Sequence, residues 1–390
     1  MNDFINAYNS IQTPFAWVDL NALDYNIRFI NEKTINKKVR VATKSVRSVE
    51  MLKYLESNLQ RFNGWMTFST EETLFLLEQN FDDFLIGYPQ LDKLKVVEII
   101  PYILKGKKIV FMVDDLTQLQ FLDSIGKEHN VIISICIDIN VSKDFKLIYF
   151  GTKRSSLHNI TALEELLDRT KALSNIQVVG VMGYEAQIAG VGDRPAQIYK
   201  KPIIQLLKNK SYRSISTFRK EAVRLVRSYY PLLEFVNGGG SGSIAYTCTE
   251  EEVSEITIGS AFYAPTLFSR YDSLKLQPAA GFALQVTRKP ENQIIVCHGG
   301  GYIASGAIGE DKQPEPYYPT DLKLLKLEGA GEVQTPLYDP RQKCVVGDVV
   351  YFRHAKAGEL CERFNQLYLS RDGQLKSVCN TYRGDGKCFL

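Results

Sequence analysis

Lys44 follows the apolar run Val39-Arg40-Val41-Ala42-Thr43, and its type and place suggest chemistry. Most lysines are solvated surface residues. One at the carboxyl end of a barrel strand would stand over the reactive face of that fold. There, partly desolvated, its amine can lose its proton and act as a nucleophile toward a carbonyl. Two glycine- and serine-rich turns complete the set. Asn237-Gly238-Gly239-Gly240-Ser241-Gly242-Ser243 and Gly259-Ser260-Ala261-Phe262 each follow a predicted strand. Glycines let backbone N–H groups approach an anion, and serines add hydroxyl donors. Either turn alone also fits an ordinary flexible loop. Two such turns facing one lysine make a more specific constellation.

These residues can meet only if strands deliver them to one end of a barrel. The candidate strands are Val39–Thr43, Gly64–Phe68, Phe84–Gly87, Lys108–Val113, Val131–Ile139, Ile176–Met182, Leu233–Val236 and Glu255–Ile258. Segments of helical period lie between them: Val46–Ser57, Glu71–Gln79, Gln90–Leu104, Leu116–Glu128, Thr161–Ser174 and Pro195–Tyr229. The last, rich in Lys and Arg, reads as a solvated face on the barrel exterior. Eight short strands alternating with helices predict an α/β protein with a (β/α)8 TIM barrel over residues 21–270. A small helix around Thr249–Val253 would join the last two strands. After Tyr271 the helical period fades. Phe282–Arg288, Gln293–Cys297, Asp321–Leu327, Val345–Phe352 and Gln366–Ser370 alternate with Gly, Pro and Asp turns. They predict a C-terminal β domain over 271–390, with residues 1–20 packing on it through Thr13–Leu20. On such a barrel the loops after the last two strands are the usual phosphate site. Lysine plus phosphate cradle therefore points to pyridoxal 5'-phosphate.

Composition narrows the field. Of 390 residues, 47 are basic and 44 acidic, so the net charge of +3 gives no electrostatic case for nucleic acid. No apolar run approaches the ~18 residues of a membrane span, and the first ten residues lack a signal-peptide pattern. Seven cysteines without a C-x-x-C pair suit a reducing compartment, where they serve as small buried hydrophobes. The expectation is a soluble cytoplasmic protein without nucleic-acid or membrane partners.

The opening Thr13-Pro14-Phe15-Ala16-Trp17-Val18-Asp19-Leu20-Asn21-Ala22-Leu23, followed by the strand-one lysine, resembles the fold-type III pyridoxal-phosphate enzymes, the alanine racemase N-terminal barrel family. The β domain is similar to that of D-threonine aldolases and D-serine dehydratases more than to that of alanine racemases. The resemblance implies that Lys44 holds the cofactor as a Schiff base, and that Gly239, Gly240, Ser241, Gly259 and Ser260 hold its phosphate. Tyr184, in Gly180-Val181-Met182-Gly183-Tyr184, would stack on the cofactor or reach one of its polar atoms. Racemases carry an arginine at the pyridine nitrogen. None fits here, and Thr257 would be a neutral partner. The racemase Ser-Met-Asp signature is missing as well. Arg154, after the fifth strand, would bind a cofactor or substrate anion through its fork, though it fits a solvated loop equally.

The aldolase and dehydratase relatives bind a divalent cation through a His-x-Cys or His-x-Asp pair late in the β domain. In Phe352-Arg353-His354-Ala355-Lys356-Ala357-Gly358-Glu359-Leu360-Cys361 the histidine is kept, but Lys356 stands at the second position. An ammonium cannot ligate a cation. The expectation is that Lys356 supplies the positive charge a metal supplies elsewhere, leaving His354 as the one family-type ligand and a divalent metal in doubt. A surface pair of Lys356 with Glu359 is the plain alternative. Cys297-His298-Gly299-Gly300-Gly301-Tyr302 adds His298 and Tyr302 as acid–base candidates.

What the resemblance implies is a pyridoxal-phosphate lyase acting on a D-3-hydroxy amino acid, by retro-aldol cleavage or by dehydration. His354, Lys356 and Tyr302 are the candidates for handling the hydroxyl. The alternatives are an amino-acid racemase, which needs a second base opposite Lys44, and a non-catalytic pyridoxal-phosphate carrier. Relatives of the last kind are lone barrels. In this fold the β domain of one subunit completes the site of its partner, which implies a homodimer.

Overall fold

Strands buried on both faces read as unbroken apolar runs, and in this protein they close into a ring. The structure, a computed structural model, describes residues 2–144, 149–194, 201–307 and 309–389. The first strand, β1 (Phe15–Asp19), precedes the ring and belongs to another sheet. The barrel begins with β2 (Lys38–Ala42), β3 (Phe62–Thr67), β4 (Phe84–Ile86), β5 (Ile109–Val113) and β6 (Ile133–Asp138). After a small hairpin of β7 (Lys143–Asp144) and β8 (Tyr149–Phe150) it finishes with β9 (Ile176–Gly183), β10 (Phe235–Gly238) and β11 (Glu255–Ile258). The eight parallel strands close in the order β2-β3-β4-β5-β6-β9-β10-β11. Leu85, Val110, Met112, Cys136, Val179 and Phe235 fill the interior, so the barrel is a packed core with its reactive face at the carboxyl ends.

The helices around it start where a side chain caps them. Asp19, Ser69, Asp92, Asp115 and Asn159 each accept backbone N–H bonds at the head of the following helix. The first of these helices, Leu20–Lys33, has no counterpart among the segments of helical period. The joining helix between β10 and β11 is Ile244–Thr247, earlier than Thr249–Val253. Residues 195–200 lie outside the described residues; from Lys201 to Tyr229 the chain is one helix. Its face is not uniformly solvated: Lys208 and Arg219 are buried, because each is paired with a carboxylate beneath the helix.

The second sheet is mostly antiparallel. It comprises β12 (Ala280–Glu291), β13 (Ile294–His298), β14 (Glu315–Tyr318), β15 (Lys323–Leu324), β16 (Gln334–Tyr338), β17 (Val349–Arg353), β18 (Gln366–Arg371) and β19 (Gln374–Asn380), together with β1. β1 lies between β12, antiparallel, and β18, parallel, so the Thr13–Leu20 stretch does pair with this sheet. Asp321–Leu327 yields only the two-residue β15, while β14, β16 and β19 had no sequence counterpart. No helix among the described residues is long and apolar enough to cross a membrane.

Candidate active site

β2 ends in a 3-10 turn, Thr43–Ser45, that turns Lys44 toward the barrel mouth. Its Nζ donates to Tyr88 Oη at 2.6 Å. Its backbone carbonyl accepts from Arg47 Nε at 2.9 Å, and Arg47 in turn pairs with Glu362 of the β domain. Gly358 lies directly over that carbonyl with φ +74, and a Cβ there would fall on the oxygen. The β domain thus holds the lysine's backbone from behind. Gly358→Ala is expected to cost about 1–3 kcal/mol in backbone strain alone and to displace Lys44. A thermal unfolding scan and a cofactor titration would read both losses; unchanged values in both would refute the clasp.

Lys44 faces a cavity of about 470 Å³. Arg154, Tyr184, Gly239, Gly240, Ser241, Thr257, Gly259 and Ser260 all line it as well. The glycine turn after β10 owes its shape to a buried acid. Glu185 accepts from Gly239 N at 3.0 Å and from the Thr247 hydroxyl. Arg219 bonds Glu185 at 3.0 Å and Glu250 at 2.5 Å. Gly239 itself has φ +84, which favours glycine. At Gly240 a Cβ would come within 3.1 Å of the Tyr184 ring, and at Gly259 within 3.0 Å of Ala42 Cβ. Ser241 Oγ accepts from Ala261 N at 2.9 Å, tying the two turns together.

Beneath the mouth a polar chain ends at Thr257. Arg40 forks onto Glu255 at 2.8 and 3.2 Å, holding that carboxyl below its ordinary pKa despite burial. Asn237 Nδ2 donates to Glu255 at 2.8 Å and to Thr257 Oγ1 at 2.9 Å. Burial pushes the Tyr184 phenol up to about 12, so it stays a neutral donor.

Four residues of the site escaped the sequence reading. Tyr88, Asp114 and Asp138 line the cavity, and Glu185 supports it. Tyr88 and the two aspartates follow or end barrel strands, and that place is the signal that could have marked them. Burial, then the charge of Asp114, raises Asp138 to about 7, against the pull of Arg154.

The β-domain candidates lie elsewhere, and none lines this cavity. Tyr302 packs edge-on against Phe282 and Phe364, and burial raises its phenol pKa against the pull of Arg363. His298 is exposed. Lys356 Nζ donates to Ser305 Oγ at 2.7 Å and lies 3.8 Å from Glu359, so the surface pair is present. His354 is enclosed, and burial, then Arg353, pushes it down to about 3. The Ala280 backbone approaches its ring, yet neither ring nitrogen has a well-aligned partner among the described residues. Such a neutral imidazole could ligate a cation. However, no three His, Cys, Asp or Glu side chains among the described residues converge to hold one. At the second position of the pair stands Lys356, an ammonium held by Ser305 and Glu359, so these two residues do not fit the family's two-ligand pattern.

The family profile described as alanine racemase, N-terminal domain, matches residues 18–266. The 3-hydroxy-D-aspartate aldolase of Paracoccus denitrificans (strain Pd 1222) is 23% identical over 267 residues, 67% of this chain and 63% of that protein. The match therefore spans less than two thirds of this curated relative. D-threonine aldolase from Filomicrobium marinum superposes with a TM-score of 0.81 at 15% identity, over 97% of this chain and 96% of that one. D-threo-3-hydroxyaspartate dehydratase from Delftia sp. HT23 gives 0.77 at 13% identity, over 95% and 98%. At these identities the two structural likenesses concern the fold.

Proposed function

The chain belongs to the alanine racemase N-terminal domain family, and from that premise we propose that it is a pyridoxal-phosphate lyase acting on a D-configured 3-hydroxy amino acid. The observation that carries this reading is the single cavity that Lys44 shares with both glycine–serine turns. The residues suit the cofactor. Among the described residues Lys44 is the one lysine on the lining, and it offers the attachment point. The glycine turns leave room that a side chain would fill. The Ser260 hydroxyl and the Arg154 guanidinium, neither hydrogen-bonded to protein among the described residues, are placed to meet anions.

When bound, the cofactor supplies a conjugated ring that accepts electrons released at Cα. The protein's own part is to bind, orient and move protons. Thr257, fixed by Asn237, would offer a neutral hydroxyl to the cofactor's ring. Tyr184 covers Gly240 and presents its ring to the cavity. With substrate at the cofactor, Lys44 would stand beside Tyr88 at the cavity, placed to carry a proton to or from Cα. Support for the substrate class comes from the relatives, whose names specify D-threonine and 3-hydroxy-D-aspartate.

We also infer a homodimer. Among the described residues every one on the lining falls between Ala42 and Phe268, so the described β domain adds no side chain to its own cavity. A second subunit's β domain would then close the mouth. Of the four β-domain candidates, Lys356 and His298 reach solvent.

The reading is tested by incubating cofactor-loaded protein with D- and L-threonine, D- and L-serine, and 3-hydroxyaspartate, then separating products by chromatography. Glycine with an aldehyde marks an aldolase, and a 2-oxo acid marks a dehydratase. Enantiomer alone would make it a racemase. Loaded protein that turns over none of them would refute the lyase.

A further inference from the structure

Asp138 ends β6, and β6 stands diametrically across the eight-strand ring from β2, which leads into Lys44. Both residues line the cavity, so one proton-exchanging group faces it from each side. The Asp138 backbone carbonyl is fixed by Ser155 Oγ at 2.6 Å, yet its carboxyl makes no hydrogen bond among the described residues. Asp114, next door at the end of β5, is the opposite case. Its Oδ1 accepts from Gln118 Nε2 at 2.9 Å and its Oδ2 from Ser156 N at 3.1 Å. One carboxylate is pinned by N–H donors; the other is left free in the same cavity. Two neighbouring carboxyls in such unlike surroundings divide the labour between fixed charge and proton exchange.

The groups around Asp138 are accounted for. Asp114 comes from β5, Arg154 from the loop after β8, and Tyr184 from the end of β9. Cys136 lies below on β6, buried, with its thiol pushed well up. Lys44 and Tyr88 lie on the far side. Burial and Asp114 hold the carboxyl pKa at about 7, so it exchanges its proton near neutrality.

We propose that Asp138 is the catalytic base for the substrate's β-hydroxyl, an assignment that rests on the lyase reading above. Its carboxylate takes the hydroxyl proton as the Cα–Cβ bond breaks. The O–H electron pair becomes the second carbon–oxygen bond of the aldehyde, and the Cα–Cβ pair passes to Cα. A proton delivered to Cα by the Lys44 ammonium completes glycine. Asp138 then loses its proton to solvent, and Lys44 regains one. No oxidant or further reactant is required.

The test uses Asp138→Asn and Asp138→Glu as cofactor-loaded protein, with wild type alongside. Wild-type kcat/KM for retro-aldol cleavage should rise about tenfold per pH unit below about 7 and level off above it, as a single base titrates. D138N should keep the visible cofactor band, lose ~10²–10⁴-fold in kcat with KM little changed, and lose the acid limb. D138E should recover part of the rate with a displaced limb, which guards against misfolding as the cause. Independently of turnover, infrared difference spectra should show two protonated-carboxyl components titrating near neutrality in wild type, from Asp138 and from buried Glu72, and the Glu72 component alone in D138N. A D138N protein with wild-type rate and pH profile, or one whose infrared titration is identical to that of wild type, would overturn the assignment. Wild-type protein that shows the Asp138-dependent component but cleaves nothing would sink the lyase reading instead, and this catalytic role with it.

Discussion

Lys44→Ala should abolish the visible band of bound pyridoxal and lower lyase turnover by at least ~10⁴-fold, the upper range for a positioned acid–base group. Two functions disappear together in this variant. No other amine among the described residues lines the cavity, so the cofactor loses its covalent anchor. The base hydrogen-bonded to Tyr88 at 2.6 Å goes with it. Borohydride reduction of loaded wild type should fix the cofactor's mass onto the peptide containing Lys44, and leave the variant unmodified. A reducible adduct in the variant would move the anchor elsewhere.

Arg219→Met is expected to have the largest effect on stability. The guanidinium lies between Glu185 and Glu250, all three buried. Removing one partner of such a cluster costs about 3–5 kcal/mol, since a charge is left in a dry site. Glu250 already sits above its ordinary pKa through burial, with Arg219 pulling it down. Without that pull its pKa rises further, so the variant's deficit should be greatest at alkaline pH and shrink as falling pH neutralises the carboxyl. Because Glu185 also holds Gly239 N, affinity for the cofactor phosphate should fall in parallel. Urea unfolding at two pH values, with a cofactor titration, measures both. A variant as stable as wild type at alkaline pH would show that the cluster carries no net stabilisation.

The barrel was legible because its strands are buried on both faces; Ile109–Val113, for example, has no exposed residue to break the run. The helix Leu20–Lys33 was not, since Asn21, Asp24, Asn26 and Asn31 dilute its apolar positions. Asn26 earns its buried place through bonds to Phe262 O and Gln277 O, some 240 residues away, which no local pattern reveals. β14 and β16 each carry a proline, and β19 is largely exposed, so none has the alternation that marks a strand. The same division holds at the site. Glycine and serine after predicted strands are visible as types at places. Asp138 differs from an ordinary strand-end aspartate only by the partners it lacks among the described residues, and Arg219 from a surface arginine only by what lies under its helix. Those are facts of three dimensions.

The place of β1 bears on how the chain is made. On a ribosome, Phe15-Ala16-Trp17-Val18 emerges about 350 residues before its parallel neighbour β18 begins. At about 5–20 residues per second, that side of the apolar strand waits roughly 20–70 s for its partner. The barrel can close in the meantime. The nascent protein therefore carries an unpaired, Trp-bearing edge until β18 has been made, the kind of segment that chaperones bind and that joins wrongly with a neighbouring chain on a crowded polysome.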